Sequence, residues 1–300
     1  MGIRGGLKMD EKVTLVIKPP KHRRKYKRER IADAIIVLFL IAGSVIVLFP
    51  ILWMIMTALK TTQEIAKFPA TLFPEELHFE NFWIAWNKAP FTRYTLNTLF
   101  LCFFNVIGNV FVNSLVAYAF AKMNFPGKKI LFSFILATMM IPGFIMLVPQ
   151  FVIYSKLGWV DTYLPLIVPA FLGNAFHIFM MRQFYSTIPK EISEAARIDG
   201  AGHFYIWSRV MMPLVKPVLA TVALISFKGT WSDFTNPLLY LTNKNLFTIQ
   251  LGLNVFKGQG FTDWNYLMAV SFLSMIPILV LFFCFQNYFI EGMNVAGSSK

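Results

Sequence analysis

The chain alternates between long apolar blocks and shorter polar segments. Each apolar block holds about 20 residues or more, the length that an α-helix needs to cross about 30 Å of hydrocarbon. We predict six membrane-spanning helices over residues 33–58, 94–121, 130–154, 163–181, 214–241 and 266–289. The pattern therefore predicts an all-α integral membrane protein.

Several of the predicted helices are interrupted. Pro142-Gly143 lies within the third block, and Pro165 and Pro169 lie in the fourth. A proline leaves a backbone carbonyl without its helical partner, and lipid has no donor to replace it. We therefore expect these two helices to pack against protein on their broken sides.

The fifth block is the most disrupted. As one helix it would be roughly 42 Å long, which exceeds the hydrocarbon core. It contains the polar segment from Lys228 to Asp233, followed by Asn236-Pro237. A discontinuous helix with polar residues at membrane depth is a recurring way to build a substrate path. Alternatively, Asp233 and Lys228 lie at the outer interface, neutralise each other and only anchor the helix end.

Composition agrees with a membrane protein, and charge predicts its orientation. The chain is 56% hydrophobic with a mean hydropathy of +0.58, too apolar for an ordinary soluble domain. Of the net charge of +13, much lies in the first 30 residues, which hold 11 Lys and Arg. A basic tail beside a first span more often sets topology or contacts anionic lipid than it binds nucleic acid.

Lys and Arg accumulate on the cytoplasmic side of membrane proteins. With the N-terminal tail inside, the cytoplasmic segments carry 20 Lys and Arg and the external loops carry 7. We therefore predict a multi-pass protein of the cytoplasmic membrane with both termini in the cytoplasm. The first residues contain no apolar stretch typical of a cleaved signal peptide, so none is expected.

No motif in the chain indicates catalysis. It contains no GxxxxGK(S/T), HExxH or GxSxG sequence. Cys102 and Cys284 lie in separate apolar blocks without CxxC spacing, which predicts buried, inert thiols. We expect no enzyme activity, no metal and no cofactor in this chain.

A polar, basic segment, residues 182–216, separates the fourth and fifth blocks. Pro189 suits the first turn of a helix and Gly200 suits its left-handed end. A second short helix follows and is predicted to end at Pro213. The two helices form a compact unit on the inner face of the membrane, which we call the knob (residues 189–213).

Two interpretations of the knob remain open. Ile188, Ile192, Ala195 and Ala196 are predicted to share one helix face. The small alanines allow another protein to approach closely, which favours a docking site. Trp207 with Arg209 instead suits an amphipathic hairpin that lies among lipid headgroups.

The knob also carries a specific spacing. Glu194-Ala195-Ala196 is followed by Gly200 and by Met212-Pro213, in the pattern E-A-A-x3-G-x9-V-x-M-P. This spacing resembles the EAA signature of importer permeases that dock an ATP-hydrolysing subunit. The chain further resembles carbohydrate importer permeases of the maltose-permease type, in their shorter six-span subunit, over residues 113–121, 125–127, 140–143, 182–201 and 288–292.

The resemblance implies a type I ABC importer permease fold with a cytoplasmic coupling helix in its EAA loop. The implied partners are a second permease subunit, two ATP-binding cassette subunits that hold ATP and Mg, and an extracytoplasmic sugar-binding protein. It implies that a C-terminal tail, here Glu291 and Gly292, contacts the ATPase pair. Met212 stands where leucine is usual, a volume-conserving change. The implied docking residues are Glu194, Ala195, Ala196, Gly200 and Pro213.

Polar and aromatic residues in the spans are candidates for a translocation path. Asn174 and His177 lie on a similar face of the fourth helix, although a lone interior histidine is more often hydrogen-bonded than a ligand. Trp231, Trp264 and Tyr266 near the outer face would either stack on a sugar ring or belong to an aromatic belt. The candidate path residues are Asn174, His177, Trp231, Asp233 and Asn236.

Two rival functions remain. An ion-coupled secondary transporter needs several intramembrane carboxylates and an inverted repeat, but only Asp233 and, marginally, Asp33 fit. A non-transporting scaffold leaves the broken helices and the knob unexplained.

We divide the chain into a basic cytoplasmic tail (1–30), a first transmembrane helix with an external loop (31–91), a permease core (92–289) and a cytoplasmic C-terminal tail (290–300).

Overall fold

The computed structural model describes residues 22–258 and 261–297, with side chains for residues 33–258 and 261–286. Within that part the chain is helical, apart from one isolated β-bridge between Lys257 and Thr262. The predicted all-α class is confirmed. The α-helices are α1 (His22–Ala58), α2 (Thr62–Ile65), α3 (Glu80–Asn87), α4 (Phe91–Lys122), α5 (Lys128–Thr138), α6 (Gly143–Lys156), α7 (Leu164–Ile167), α8 (Ala175–Thr187), α9 (Lys190–Ile198), α10 (His203–Tyr205), α11 (Met212–Leu214), α12 (Lys216–Trp231), α13 (Thr235–Tyr240), α14 (Ile249–Gly252) and α15 (Trp264–Gly297). Short 3-10 helices cover Val168–Phe171, Lys244–Leu246 and Leu253–Phe256, and a π-helix covers Ile206–Met211.

Four continuous stretches of the described chain are long and apolar enough to cross a membrane. They are Asp33–Ala58, Phe91–Lys122, Leu164–Thr187 and Trp264–Gln286. Two bent pairs qualify if each counts as one span: α5 with α6, bent by 97°, and His203–Leu214 with α12, bent by 85°. The structure thus holds four to six candidate spans, each overlapping one of the six predicted blocks.

The fourth span extends further than predicted. We expected it to end at residue 181, but α8 continues to Thr187. Phe184 and Tyr185 are buried, so the apolar face of the helix continues past Arg182. The guanidinium of Arg182 lies 4.2 Å from the centroid of the Phe132 ring, which gives this cation an aromatic partner beside the span.

The chain forms two compact units, residues 1–53 and residues 54–300. Within the first unit, the apolar side chains of α1 from Ile35 to Phe49 are mostly exposed, as in a helix that faces lipid. The second unit contains residues 54–91, which the sequence analysis grouped with the first helix. The Asn81 amide donates to the carbonyls of Ala58 and Lys60, at 2.8 and 2.9 Å, so the loop after α1 is bonded to the end of that helix, and the division at residue 91 stays a prediction.

Two apolar clusters lie along α4 in the second unit. The loop cluster includes Phe91, Tyr94 and Cys102 from the first half of α4. The knob cluster includes Ala117, Tyr118 and Phe120 from its second half. The residues that join the loop cluster from other elements include Ala58, Ala85, Trp231, Ile249, Phe256 and Val270. Those that join the knob cluster include Met181, Tyr185, Ile206, Trp207, Met211 and Val218.

The close contact between α4 and the 3-10 segment Val168–Phe171 depends on a glycine. A Cβ on Gly108 would lie 3.0 Å from the backbone of Ala170, so only glycine lets α4 touch the 3-10 segment at this distance.

Both cysteines are free thiols. Cys102 is buried as predicted, but Cys284 is exposed on α15, because this position faces away from the core.

Candidate functional site

The knob consists of two helical segments that meet at a left-handed glycine. α9 begins after Pro189 and ends at Ile198. Gly200 has a φ of +84°, and its N–H donates to the carbonyl of Arg197 at 2.9 Å. A Cβ at Gly200 would meet nothing within 4 Å. Backbone conformation, and not packing space, therefore requires glycine here.

The second segment of the knob is longer than predicted. We expected it to end at Pro213, but α11 carries it through that residue to Leu214, and the chain turns by 85° before α12 begins at Lys216. Pro213 lies in the first turn of α11. Pro213 has no N–H to donate into the preceding turn, which here is the π-helix Ile206–Met211 and not a regular α-turn.

The knob is fixed to the transmembrane helices through Trp207. This side chain is fully buried, and its Nε1–H donates to the Ser114 Oγ of α4 at 3.1 Å. Ser114 Oγ is in turn 2.7 Å from the hydroxyl oxygen of Tyr185 on α8. The Phe111 ring packs edge-on against Trp207 at 4.9 Å between centroids. The alternative that places Trp207 among lipid headgroups is therefore wrong, because the indole is enclosed by protein.

The predicted docking residues lie mostly on the exposed side of the knob. Glu194, Ala195, Gly200 and Pro213 are exposed, and Ala196 is half-buried against the knob cluster. The predicted common face of α9 is thus divided, because Ile188 and Ala196 pack inward while Ile192 and Ala195 point outward. Three large apolar side chains are also exposed on the knob: Ile198 (87%), Phe204 (62%) and Tyr205 (58%).

A polar cavity of about 500 Å³ lies among α4, α6, α8, α12 and α13. A second cavity of about 810 Å³ adjoins it at the break between α5 and α6. Gln150, Asn174, Asp233 and Asn236 line both. Four of the five candidate path residues line the first cavity, namely Asn174, His177, Asp233 and Asn236.

Three asparagines on α4 support the broken fourth span. Asn105, Asn109 and Asn113 recur every four residues and therefore lie on one face of the helix. Asn105 Nδ2 donates to the Leu166 carbonyl at 2.9 Å, and Asn113 Oδ1 accepts the Asn174 N–H at 2.6 Å. These bonds satisfy backbone groups that the irregular segment leaves free, which lipid cannot do.

The same face of α4 also contacts His177 of α8. Its Nδ1 lies 3.0 Å from Asn109 Oδ1, which agrees with the expectation of a hydrogen-bonded interior histidine. The three asparagines are not among the residues predicted above to line the path. Their four-residue spacing inside an apolar block was the signal available, because it places amides on one face of a span.

The fifth block has the predicted break, between the end of α12 at Trp231 and the start of α13 at Thr235. The Asp233 carboxylate accepts the backbone N–H of Asn236 at 3.1 Å and its Nδ2–H at 2.8 Å. No ion pair joins Asp233 to Lys228 among the described side chains. Asp233 therefore stabilises the start of α13, and the alternative of mutual neutralisation has no support in the geometry.

Trp231 is separate from the other candidate path residues. It is fully buried in the loop cluster, and its Nε1–H donates to the Ser274 carbonyl of α15 at 2.9 Å. Phe227 stacks on it at 5.5 Å between ring centroids. Trp231 is therefore not on the cavity wall, because the indole points toward α15.

The loops at the end opposite the knob are fixed by Asp161 and Lys88. The Asp161 carboxylate accepts the N–H groups of Asn243 at 2.7 Å and Thr242 at 2.9 Å. These donors, Asn243 first, hold the pKa of Asp161 below its ordinary value. The Lys88 ammonium pairs with Asp263 and lies 4.7 Å from the Tyr266 ring centroid. Tyr266 thus already has a cationic partner.

The predicted C-terminal contact residues lie beyond the last described side chain, Gln286. Glu291 and Gly292 fall within α15, but their side-chain surroundings are outside the described residues. Within the described side chains, no group of three or more His, Cys, Asp or Glu is placed to hold a metal ion. The knob and the cavity are therefore the two candidate sites.

Comparison with known proteins identifies the family. Residues 110–295 match the family described as "Binding-protein-dependent transport system inner membrane component". The chain belongs to this family. It is an inner-membrane permease of the ATP-binding-cassette type, and this result favours that function over an ion-coupled transporter.

Two relatives resemble this permease along most of their length. The arabinooligosaccharides transport system permease protein AraQ of Bacillus subtilis is 29% identical over 280 residues, covering 92% of this chain and 98% of AraQ. The sn-glycerol-3-phosphate transport system permease protein UgpE of Escherichia coli is 33% identical over 262 residues, covering 85% of this chain and 93% of UgpE.

Solved structures support the same fold. A chain of a bacterial ABC transporter that imports the acidic polysaccharide alginate superimposes with a TM-score of 0.76 at 23% identity, covering 91% of this permease and 100% of that chain. A bacterial alginate ABC transporter in complex with its alginate pentasaccharide-bound periplasmic protein gives 0.64 at 16% identity, covering 87% and 94%. The predicted type I ABC importer permease fold is confirmed.

Labelling of single cysteines tests whether the break after α12 adjoins a translocation path. Cysteines at Ser232, Thr235 and Asn236, in a permease lacking Cys102 and Cys284, are expected to react with a membrane-impermeant thiol reagent added from outside. Labelling at Asn236, which lines both cavities, is expected to change most when sugar is transported or ATP is trapped. Complete labelling at every position, indifferent to both ligands, would place the segment in an ordinary external loop.

Proposed function

We propose that this permease forms half of the pore of an ATP-driven, binding-protein-dependent importer of oligosaccharides, and that the knob docks it to the ATPase subunit. In this arrangement both termini and the knob face the cytoplasm. The positive charge on those segments supports the orientation. AraQ is named for arabinooligosaccharides and the structural neighbours import alginate, which supports a carbohydrate substrate.

One observation carries the proposal: the knob is bonded to the helices that line the cavity. Trp207 of the knob donates to Ser114 of α4, and the neighbouring residue Asn113 accepts from Asn174 at the cavity wall. The ammonium of Lys122, at the end of α4, donates to the carbonyl of Ile188 just before the knob. A movement of the knob is therefore transmitted to the cavity through direct contacts.

The connections of the knob define the movement. The knob continues into α8 on one side and α12 on the other. α8 contributes His177 to the cavity, and α12 contributes Ser226 and Thr230. When ATP binding draws two ATPase subunits together, the docked knob moves, and the two helices rock the cavity between outward-open and inward-open states.

The proposed assembly contains a second permease subunit, two ATP-binding cassette subunits and an extracytoplasmic sugar-binding protein. ATP and Mg bind to the cassette subunits, so this chain itself carries no cofactor and no catalytic site. Glu291 and Gly292 are proposed to contact the ATPase pair. The loops held by Asp161 lie at the end opposite the knob and are available to the binding protein.

Co-purification and transport together test the proposal. The permease, expressed with its partners and solubilised, is expected to retain a stoichiometric ATPase subunit. In proteoliposomes, the complex is expected to take up oligosaccharide only with both ATP and the binding protein. Uptake by this chain alone, driven by a proton or sodium gradient, would contradict the proposal.

Charge reversal at Glu194 tests the docking surface. Glu194 is exposed on the knob, and we propose that it pairs with a basic group of the ATPase subunit. Reversing one partner of an interfacial ion pair costs about 2–5 kcal/mol. Glu194→Lys is therefore expected to weaken the binding of the ATPase subunit by at least about tenfold. The measurement is the concentration of ATPase subunit at which half of the permease co-purifies with it.

Glu191→Lys provides the control because Glu191 is exposed on the same helix. It gives the same change in charge one turn earlier and is expected to have a much smaller effect. A lipid-surface hairpin would tolerate both added cations. Normal assembly and transport by Glu194→Lys would therefore contradict docking at Glu194.

A further inference from the structure

We infer that the 500 Å³ cavity is a subsite for a neutral sugar ring, and that Asp233 makes this subsite discriminate against anionic sugars. The inference rests on the proposed function, because it assumes that the cavity lies on the substrate path. It adds a substrate class and a specificity-determining residue to that path. Four features of the cavity support it: its charge, its neutral polar lining, its aromatic wall and its size.

Charge is the first feature. Among the described residues that line the two cavities, Asp233 is the only Asp, Glu, Lys or Arg. The Nδ1 of His177 is bonded to Asn109 Oδ1, and the neutral imidazole adds no cation to the lining. A uronate or phosphate group would face a carboxylate without any lysine or arginine to balance it. Coulomb repulsion in a partly desolvated cavity disfavours such ligands.

Hydrogen-bonding capacity is the second feature. The hydroxyls of Ser226 and Tyr240 are buried and have no hydrogen-bond partner among the described residues. Both residues line the cavity. Both oxygens lie beneath the cavity surface, so the accessible hydrogen-bonding groups of the lining come from other residues.

The other polar groups of the lining are also neutral. They donate and accept hydrogen bonds without charge, as a sugar hydroxyl requires. Asp233 uses its carboxylate on two donors of Asn236 and retains lone pairs for hydroxyl donors of a ligand. The neutral polar residues of the lining are Asn105, Asn109, Gln150, Asn174, Thr230 and Asn236.

The third feature is an aromatic wall. Tyr154 and Tyr240 line the cavity, with their ring centroids 5.4 Å apart at an interplanar angle of 69°. Trp159 stacks on Tyr154 at 5.5 Å, and Phe151 lies parallel to Tyr240 at 6.3 Å, so both tyrosines are held from behind. Tyr240 is 1% exposed and supports the wall, whereas Tyr154 is partly exposed and suits a ligand with one apolar face and several hydroxyls.

The fourth feature is size. A volume of about 500 Å³ lies within the range of small-molecule sites, roughly 300–1,000 Å³. The adjoining cavity of about 810 Å³ shares the Asp233 wall, so a longer oligosaccharide passes the same carboxylate. Every ring of the substrate would therefore meet the same negative charge.

The test measures ligand protection of a single cysteine at Thr230, on the cavity wall, in the whole transporter. The complex carries Cys102→Ala, Cys284→Ala and Thr230→Cys, is placed in lipid nanodiscs and is labelled with an uncharged maleimide. The probes are arabinotriose and maltotriose, forms of both sugars in which one ring is a uronic acid, and forms in which one ring carries an amine. An uncharged reagent keeps Asp233 from altering the labelling chemistry itself.

In the complex that retains Asp233, at least one neutral sugar is expected to protect the cysteine, and its uronic-acid form is expected to need an about tenfold or higher concentration. In Asp233→Asn, this difference is expected to fall to about twofold. Asparagine retains an oxygen that accepts the Asn236 N–H, and Asp233→Ser retains a capping hydroxyl if asparagine disturbs α13. Glu75→Gln removes one negative charge from an exposed position outside the cavity and is expected to leave the tenfold difference in place.

Three results would overturn the inference: no protection by either neutral sugar, equal protection by neutral and anionic forms when Asp233 is present, or weaker protection by the amine form than by the uronic-acid form. A tenfold difference that persists in both Asp233 variants would also overturn the role of Asp233. These results are distinguishable from failure of the proposed function. ATP-driven, binding-protein-dependent uptake and co-purification of the ATPase subunit would remain in a complex whose cavity does not discriminate.

Discussion

Gly200→Val is expected to reduce ATP-driven uptake by about tenfold or more while membrane insertion stays normal. Gly200 has a φ of +84°, where a side chain with a Cβ is strained and a β-branched one most of all. The cost is about 1–2 kcal/mol or more, which shifts the equilibrium of the knob about 5- to 30-fold away from the docked conformation. The measurement is uptake in proteoliposomes at equal amounts of inserted protein.

Gly202→Ala is the matched control for Gly200. Gly202 is also exposed, and an added Cβ would meet nothing within 4 Å, but its φ of −72° suits any residue. This variant is expected to transport normally, and Gly200→Ala is expected to lie between Gly202→Ala and Gly200→Val. Because neither glycine has a close neighbour, the comparison isolates backbone conformation from packing. Equal uptake by Gly200→Val and Gly202→Ala would show that coupling does not depend on the left-handed turn.

Trp207→Ala is expected to give the largest loss of stability. The side chain is fully buried in the knob cluster and donates a hydrogen bond to Ser114. Removing a buried tryptophan costs about 3–5 kcal/mol, which corresponds to a fall in Tm of about 10 °C. The purified complex is heated and then passed over a gel-filtration column. The measurement is the temperature at which half of it no longer elutes in the peak of the intact complex.

Two further variants resolve the origin of this loss. Trp207→Phe retains most of the ring but removes the N–H, and it is expected to lose roughly 1 kcal/mol. Trp264→Ala removes the same side chain from a position that is 49% exposed on α15, and it is expected to shift Tm by only a few degrees. If Trp207→Ala and Trp264→Ala melted alike, the knob would not be packed on α4 and α8 as described.

The helices were largely predictable because their signals are local. The length of each apolar block sets a membrane span, and Pro142-Gly143 and Asn236-Pro237 marked where backbone bonds are lost. The end of the fourth span was missed because Arg182 was taken as the edge of a polar segment. In the structure its guanidinium lies over Phe132, a residue from another helix, so the helix continues.

The candidate sites were predictable to different degrees. The left-handed turn at Gly200 was predictable because a turn between short helices needs a specific residue type there, whereas the docking role of Glu194 stays a prediction. The asparagines of α4 were missed because their partners, Leu166 and Asn174, lie on a distant segment. Trp231 was assigned to a candidate surface, and Trp207 was placed at one in the headgroup alternative, but both are buried. An indole in an amphipathic segment has no sequence signal that distinguishes core from interface.

By itself, the sequence determined that this chain is an all-α membrane protein with interrupted helices and a short, glycine-hinged knob. Those features depend on hydrophobic length, proline positions and backbone conformation, which are properties of neighbouring residues. Only the tertiary structure decided that Asn174, His177, Asp233 and Asn236 line one cavity, that Trp231 does not, and that Trp207 bonds the knob to α4. Each of these depends on side chains from separate helices satisfying one another's polar groups, and no local pattern encodes that pairing.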